Sequence, residues 1–356
     1  MAREFRVGII GTGGIAQNAH LPGWTKLADR GVKVVALADL NRKTAAAAAE
    51  KFDVPAVYTD YRKMLRSEKL DAVSVCTPAA FHCEQSVAAL KRRVHVLCEK
   101  PTCLSTAECR RISAAARKSR RVFMTGQHLR FTGDSVALKE YLDSNPLGEI
   151  YYVHCRALRR RGLPARPTFT SKKLSGGGPL LDIGVHILDL AWWLMGGPRA
   201  VAVSGFTSER MIAKGGRIWN AWGTWDPRKT DVEDFACGLI RFENDAVMFL
   251  ESSFLLNLKE RSVFTAQLCG TKAGAQWPDC EIFSEKNKQL TDTKVFNIPK
   301  REAHSDEVRA FYEAAVGGRK SPVPIAESSE VIAILEALYD SAGKGREVKV
   351  KRVGRG

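Results

Sequence analysis

Short apolar runs, each closed by a polar or turn-forming residue, alternate with helix-favouring stretches along the first third of the chain. Phe5 to Ile10 ends at Gly11, Val32 to Ala38 at Asp39, Ala72 to Cys76 at Thr77-Pro78, Val94 to Cys98 at Glu99-Lys100-Pro101, and Val122 to Gly126 near Gln127. Between them, Arg42 to Phe52, with five consecutive alanines, and Thr106 to Lys118 carry the propensity of helices. Strands that are apolar on both faces and separated by helices predict a parallel sheet covered on both sides.

After residue 126 the pattern changes. Glu149 to Arg156, Ala200 to Phe206, Phe235 to Phe242, Ala246 to Phe254, Ser262 to Cys269 and Lys294 to Ile298 are β-prone runs joined by turns such as Glu243-Asn244-Asp245. They predict a large, mostly antiparallel open sheet. Helical patterns interrupt or follow it at Pro179 to Met195, Asp306 to Val316 and Ala326 to Ala342, the last stopped by Gly343. A length of 356 residues, at about 150 per domain, fits two domains, divided by these patterns into 1–126 and 127–356. The predicted class is α/β.

The first apolar run opens into Gly11-Thr12-Gly13-Gly14-Ile15-Ala16, which fits G-x-G-x-x-A between a strand and a helix. In that setting Gly11 makes the tight turn, Gly13 admits a pyrophosphate against the backbone, and Ala16 keeps the helix close to the sheet. The N–H groups of the following helix face the phosphates. Asp39, at the end of the second run, is placed to accept hydrogen bonds from ribose hydroxyls. A carboxylate there repels a 2′-phosphate and selects NAD, while the neighbouring Arg42 and Lys43 leave NADP as the alternative. Thr77, His82, Glu99, Lys100 and Gln127 follow the later strand ends, where ligands of open parallel sheets bind. A lysine directly after an apolar strand and before proline points into such a crevice; the plainer alternative is a surface lysine at a turn.

The stretch from Pro179 to Met195 is apolar almost all round, yet it carries Asp182, His186 and Asp189. At 100° per residue these three fall within about 60° of one another on a helix. Ionisable groups are costly to bury unless paired or used, so the stripe predicts either a polar cleft or an internal acid and histidine pair. Gly176-Gly177-Gly178, just before it, allows close approach of backbone to a ligand.

Composition adds limits. Lys and Arg outnumber Asp and Glu by 55 to 39, a formal charge of +16, but the basic residues are scattered and lack any nucleic-acid-binding signature, so solvated surface charge is the expectation. The nine cysteines form no Cys-x-x-Cys pair and several sit in apolar runs, as reduced, buried thiols of a cytoplasmic protein would. No metal site is expected. No long apolar segment or signal peptide is apparent, so neither membrane nor nucleic acid is an expected partner.

Three motifs in order, the Gly11 fingerprint, Glu99-Lys100-Pro101, and Gly177-Gly178-Pro179-Leu180-Leu181-Asp182-Ile183-Gly184-Val185-His186-Ile187-Leu188-Asp189, resemble the Gfo/Idh/MocA oxidoreductase family over nearly the whole chain. The resemblance implies an N-terminal NAD-binding Rossmann domain and a C-terminal α/β domain that binds a sugar or polyol and makes homodimer or homotetramer contacts. It also implies catalytic roles for Lys100, Asp182 and His186. The run Arg159 to Pro164, with Phe169 and the triple glycine, is similar to members that act on glycosides, including at pyranose carbon 3. Arg166-Pro167 departs from the Trp-Gly pair of several such relatives.

The implied reaction has His186 take the hydroxyl proton as hydride leaves the same carbon for nicotinamide C4. Lys100 would hydrogen-bond the nascent carbonyl and Asp182 a neighbouring hydroxyl. Lys100 and His186 could exchange roles or form a relay. Trp219, Trp222, Trp225 and Asn220 suit either a stacking platform for a pyranose or a packed loop. The rival functions are a glycoside-cleaving enzyme that works through a transient 3-keto sugar with recycled NAD, and a dinucleotide-sensing regulator. A third, a nucleic-acid binder driven by charge, would lose affinity steeply with salt.

Overall fold

Six apolar runs pair side by side in parallel: β1 (Phe5–Ile10), β2 (Val32–Ala38), β3 (Ala56–Tyr58), β4 (Ala72–Val75), β5 (His95–Glu99) and β6 (Phe123–Gly126). Their order, β3-β2-β1-β4-β5-β6, reverses between β1 and β4, which opens a crevice at the carboxyl ends of the strands. All four residues of β4 are buried, as expected of a central strand covered on both faces. In the computed structural model, which describes residues 3–144 and 146–352, the chain forms two compact units. The first holds this sheet and runs to Phe131, with Glu302–Ser328 added from far along the chain.

That late segment completes the core of the first unit. Val308 and Phe311 of the helix Ala303–Gly317, with Val323, join a buried cluster that includes Val7, Leu21, Trp24, Leu97 and Met124. The Phe311 ring meets Trp24 edge-on at 5.9 Å between centroids. Gly23 lets Val308 pack close, since a Cβ there would lie 3.0 Å from Val308 Cγ2. The division into 1–126 and 127–356 gave this segment to the second domain; here it clusters with the first unit.

The second unit, Thr132–Arg301 with residues 329–352, is built on nine strands among the described residues. They are β7 (Ile150–Arg159), β8 (Ala200–Ser208), β9 (Phe235–Phe242), β10 (Val247–Ser253), β11 (Ser262–Gly270), β12 (Ala273–Trp277), β13 (Glu281–Lys286), β14 (Gln289–Lys294) and β15 (Val348–Lys349). In the order β14-β13-β12-β11-β7-β10-β9-β8-β15, β7 and β10 run parallel and the other pairs antiparallel. The helix Val185–Leu194, apolar nearly all round, packs against β7 and β11.

Several expectations are corrected. The run Lys294 to Ile298 is not a strand: β14 ends at Lys294, after a turn in which Asn287 and Lys288 both have positive φ. The last long helix passes through Gly343 to Lys344 and gives way at Gly345, whose φ is +63°. Among the described residues no helix is long and apolar enough to cross a membrane, and all nine cysteines are free thiols.

Candidate functional site

In the first unit, Gly11 sits at φ +89°, where a Cβ would press within 2.8 Å of the Cys76 backbone, so the turn out of β1 is fixed by sterics. Gly13 and Gly14 are different. A Cβ at Gly13 would meet nothing within 4 Å, and at Gly14 only Asn18 Nδ2 at 3.9 Å; both residues are exposed. No packing inside the protein accounts for these two glycines, whereas a pyrophosphate laid against the backbone does, so the turn fits a dinucleotide. Gln17 steadies it, Nε2 donating to the Thr12 carbonyl at 2.8 Å.

Asp39 ties this turn to the end of β2. Its Oδ2 accepts from Thr12 N at 2.7 Å and Thr12 Oγ1 at 3.0 Å, and its Oδ1 from Asn41 N at 2.8 Å. A carboxylate has about four acceptor positions, so one remains for a ribose hydroxyl. Asn41 caps the next helix through Lys43 N and Thr44 N, which sets Arg42 exposed at its first turn. Ile15 is half-buried at the start of the helix that follows the glycines.

The later strand ends form a connected polar layer. His82 is buried, with Nε2 2.7 Å from the Thr77 carbonyl and Nδ1 2.8 Å from the Pro101 carbonyl. It thus joins the loop after β4 to the turn after β5. Burial lowers its pKa, and the two carbonyls oppose that. Thr77 Oγ1 donates to Gln85 Oε1 at 2.6 Å. Gln127, after β6, is buried, and its Oε1 has no hydrogen-bond partner among the described residues. An orphaned acceptor of this kind suits an amide donor such as the carboxamide of a nicotinamide.

Glu99 is central to that layer, and sequence gave no hint of its partner. Its Oε1 lies 2.9 Å from His20 Nε2, and its Oε2 accepts from Lys100 N at 3.1 Å. His20 Nδ1 lies 3.0 Å from Ser74 Oγ, which also accepts from Trp24 Nε1 at 2.9 Å. Burial pushes the Glu99 carboxyl upward, but the hydrogen bond and charge of His20 and the charges of Lys100 and His304 outweigh it and hold the group down at about 2. His128 and His304 stack at 4.2 Å nearby. Burial lowers both, His128 to about 4.

In the second unit, the segment Leu180–Gly184 is a π-turn that leads into the helix Val185–Leu194, a local distortion frequent at functional sites. Asp182 is half-buried; His186 and Asp189 are buried. The three lie on consecutive turns, as their spacing predicts. The triple glycine before them serves packing. A Cβ at Gly177 would lie 2.0 Å from Tyr339 Oη and at Gly178 2.2 Å from the Glu233 carbonyl oxygen, so the protein itself fills the space that the sequence offered to a ligand. Glu233 accepts from Gly178 N at 2.9 Å, Leu180 N at 3.2 Å and Tyr339 Oη at 2.7 Å. It thereby holds the first turn in place, and burial raises its pKa against those bonds. Among the described residues no cluster of His, Cys, Asp or Glu is arranged to hold a metal.

Comparison with known proteins agrees with these features. Residues 5–127 match the family model described as an oxidoreductase family with an NAD-binding Rossmann fold, and residues 135–276 match the C-terminal domain of the same family. A D-glucoside 3-dehydrogenase of Escherichia coli is 36% identical over 97% of each chain. A myo-inositol 2-dehydrogenase of Thermotoga maritima is 30% identical over 98% of this chain and 99% of its own. The solved structure of an oxidoreductase domain protein from Kribbella flavida has the same fold, with a TM-score of 0.85 at 22% identity over 98% of this chain and all of that one.

Proposed function

Because the chain belongs to the Gfo/Idh/MocA family of NAD-binding oxidoreductases, we propose that it oxidises a carbinol of a sugar, glycoside or polyol to a ketone, with carbon 3 of a pyranoside as the first candidate. The likeness to a D-glucoside 3-dehydrogenase supports the choice of carbon. The observation that carries the reading is the placement of Asp182 and His186 on successive turns of a largely apolar helix that also carries Asp189, a costly arrangement unless those groups are paired or used.

The first unit would hold the dinucleotide through Gly11, Thr12, Gly13, Gly14, Ile15 and Asp39, with Arg42, Thr77, His82, Glu99, Lys100 and Gln127 lining or supporting the site. Bound NAD supplies the hydride acceptor. In the proposed mechanism His186 removes the hydroxyl proton, since an imidazole exchanges protons near neutral pH. Lys100 stabilises the oxygen as it becomes a carbonyl, and Asp182 accepts a hydrogen bond from an adjacent hydroxyl. Glu99, kept ionised by His20, holds the Lys100 backbone through its N–H.

The test is NADH formation at 340 nm, with product masses, across methyl glycosides, free sugars, anhydrosugars and inositols. Loss of two hydrogens from one substrate class is expected. Lys100→Ala and His186→Ala should each lower kcat at least about 100-fold, a typical loss for acid–base groups, with NAD affinity within about threefold. Full turnover in both variants, or no oxidised product despite NAD binding, overturns the reading.

A further inference from the structure

Arg159, the last residue of β7, turns its guanidinium over the Trp222 ring at 4.4 Å from the centroid, with the Phe254 ring at 5.9 Å. Burial lowers its pKa, and the charge of Asp182 acts in the opposite sense. Of the five N–H donors of a guanidinium, its Nη1 reaches the Gly162 carbonyl at 3.3 Å. Arg159 forms no ion pair among the described residues, whereas Arg161 beside it is engaged by Asn257 Oδ1 at 2.7 Å and by the carbonyls of Arg160 and Leu256. The half-buried guanidinium spends few of its donors on the protein, which leaves them to water or to a ligand, and the aromatic face offsets part of its desolvation.

The aromatic partner is anchored but open. Trp222 is 51% exposed, although its loop is pinned from both sides. Asn220 Oδ1 accepts from Leu163 N at 3.0 Å, and Asn220 Nδ2 donates to the carbonyls of Leu163 at 2.9 Å and Gly223 at 2.8 Å. Trp225, buried in the same loop, donates to the Ile212 carbonyl at 2.9 Å. A large apolar ring held out on a fixed loop beside a guanidinium with unspent donors, itself within reach of the charge of Asp182, has the elements of a carbohydrate subsite: a flat face for C–H groups, and donors.

We propose that Arg159 and Trp222 form a recognition subsite for an uncharged pyranoside, a proposal that rests on the sugar-oxidoreductase reading and names its substrate class. The exposed indole takes the C–H face of the ring, and the guanidinium donates to ring hydroxyls. Asp182 decides for a neutral ligand. A hydroxyl accepts from Arg159 without adding charge near Asp182, whereas a sugar acid or phosphate brings a negative charge toward that carboxylate. Arg159 and Trp222 set affinity and specificity, and the chemical step stays with the groups on the helix and with Lys100.

The experiment compares methyl β-D-glucopyranoside with its uronic acid counterpart, by initial rates with NAD and by saturation-transfer NMR on the NADH-loaded protein. Arg159→Met and Trp222→Ala should raise KM for the glucoside about tenfold or more with kcat within about threefold, and weaken its NMR signal; Trp222→Phe should recover most of the affinity. NAD affinity should not move. Trp222→Ala removes an exposed ring, so it carries the test even if Arg159→Met does not fold. Unchanged KM and NMR signal in Trp222→Ala, or a lower KM for the uronic acid than for the glucoside, overturns the subsite. Glucoside binding without turnover, lost in Trp222→Ala, sustains the subsite and overturns the dehydrogenase reading; no binding to the wild type overturns the subsite.

Discussion

At Gly13 a Cβ would enter open space, whereas at Gly178 it would lie 2.2 Å from the carbonyl oxygen of Glu233. The two glycine-rich segments precede helices in the two units, and each unit holds a buried carboxylate, Glu99 in the first and Glu233 in the second. In one the missing side chain leaves a surface for something outside the chain; in the other it admits the chain's own Tyr339 and Glu233. The carboxylates differ in the same sense. Glu99 has a histidine and cations around it and is held at about 2, while Glu233, bonded by neutral donors, is raised by burial. Glycine thus marks close approach, and only the occupant of the space says whether the approach is structural or functional.

The largest test of this contrast is Gly178→Ala. Its Cβ would require backbone to move, and overpacking of that kind should cost about 3 kcal/mol or more. Calorimetry should show a melting point lower by about 6–12 °C.

Next comes acid. A carboxyl depressed to about 2 from 4.5 contributes stability that is present above about 4.5 and is lost as pH falls toward 2. The stability difference between wild type and Glu99→Gln should therefore shrink by a few kcal/mol across that window. Glu233, raised above 4.5, costs stability when ionised, so acidification to pH 4.5 should relieve that cost and improve wild type relative to Glu233→Gln. The same sign of slope for both residues in melting curves would erase the distinction between their surroundings.

The smallest effect on the fold is Gly13→Ala. Stability should stay within about 0.5 kcal/mol, while NAD affinity, measured by calorimetric titration, falls about tenfold or more. Equal destabilisation by Gly13→Ala and Gly178→Ala would mean that both glycines are packing devices.

Local signals made the centre of each unit legible. β1 and β2 fall on Phe5–Ile10 and Val32–Ala38 as their apolar runs indicate, and the Asp182, His186, Asp189 stripe lies on one helical segment. β3 has three half-buried residues and β14 is almost wholly exposed, so neither carries the alternation by which a strand is recognised. The helix Gly133–Ser144 is capped by Thr132, whose Oγ1 accepts from Ser135 N at 3.3 Å, but the glycine that opens it masks this start signal in the sequence. The site's supports were hidden for another reason. His20 meets Glu99 across 79 residues and Glu233 meets Gly178 across 55, and such pairings exist only once the sheets are formed. The triple glycine was visible, but its occupants were not.

The return of Glu302–Ser328 to the first unit also orders events during synthesis. The chain emits 170 residues, Thr132–Arg301, between the last strand of the dinucleotide sheet and the helix that covers Trp24. At about 5–20 residues per second on a ribosome, the nascent sheet waits roughly 10–30 seconds with the Phe311 side of its core bare. The unit that begins first is completed near the end, and a truncation ahead of Glu302 would strand it with an apolar face open to other nascent chains.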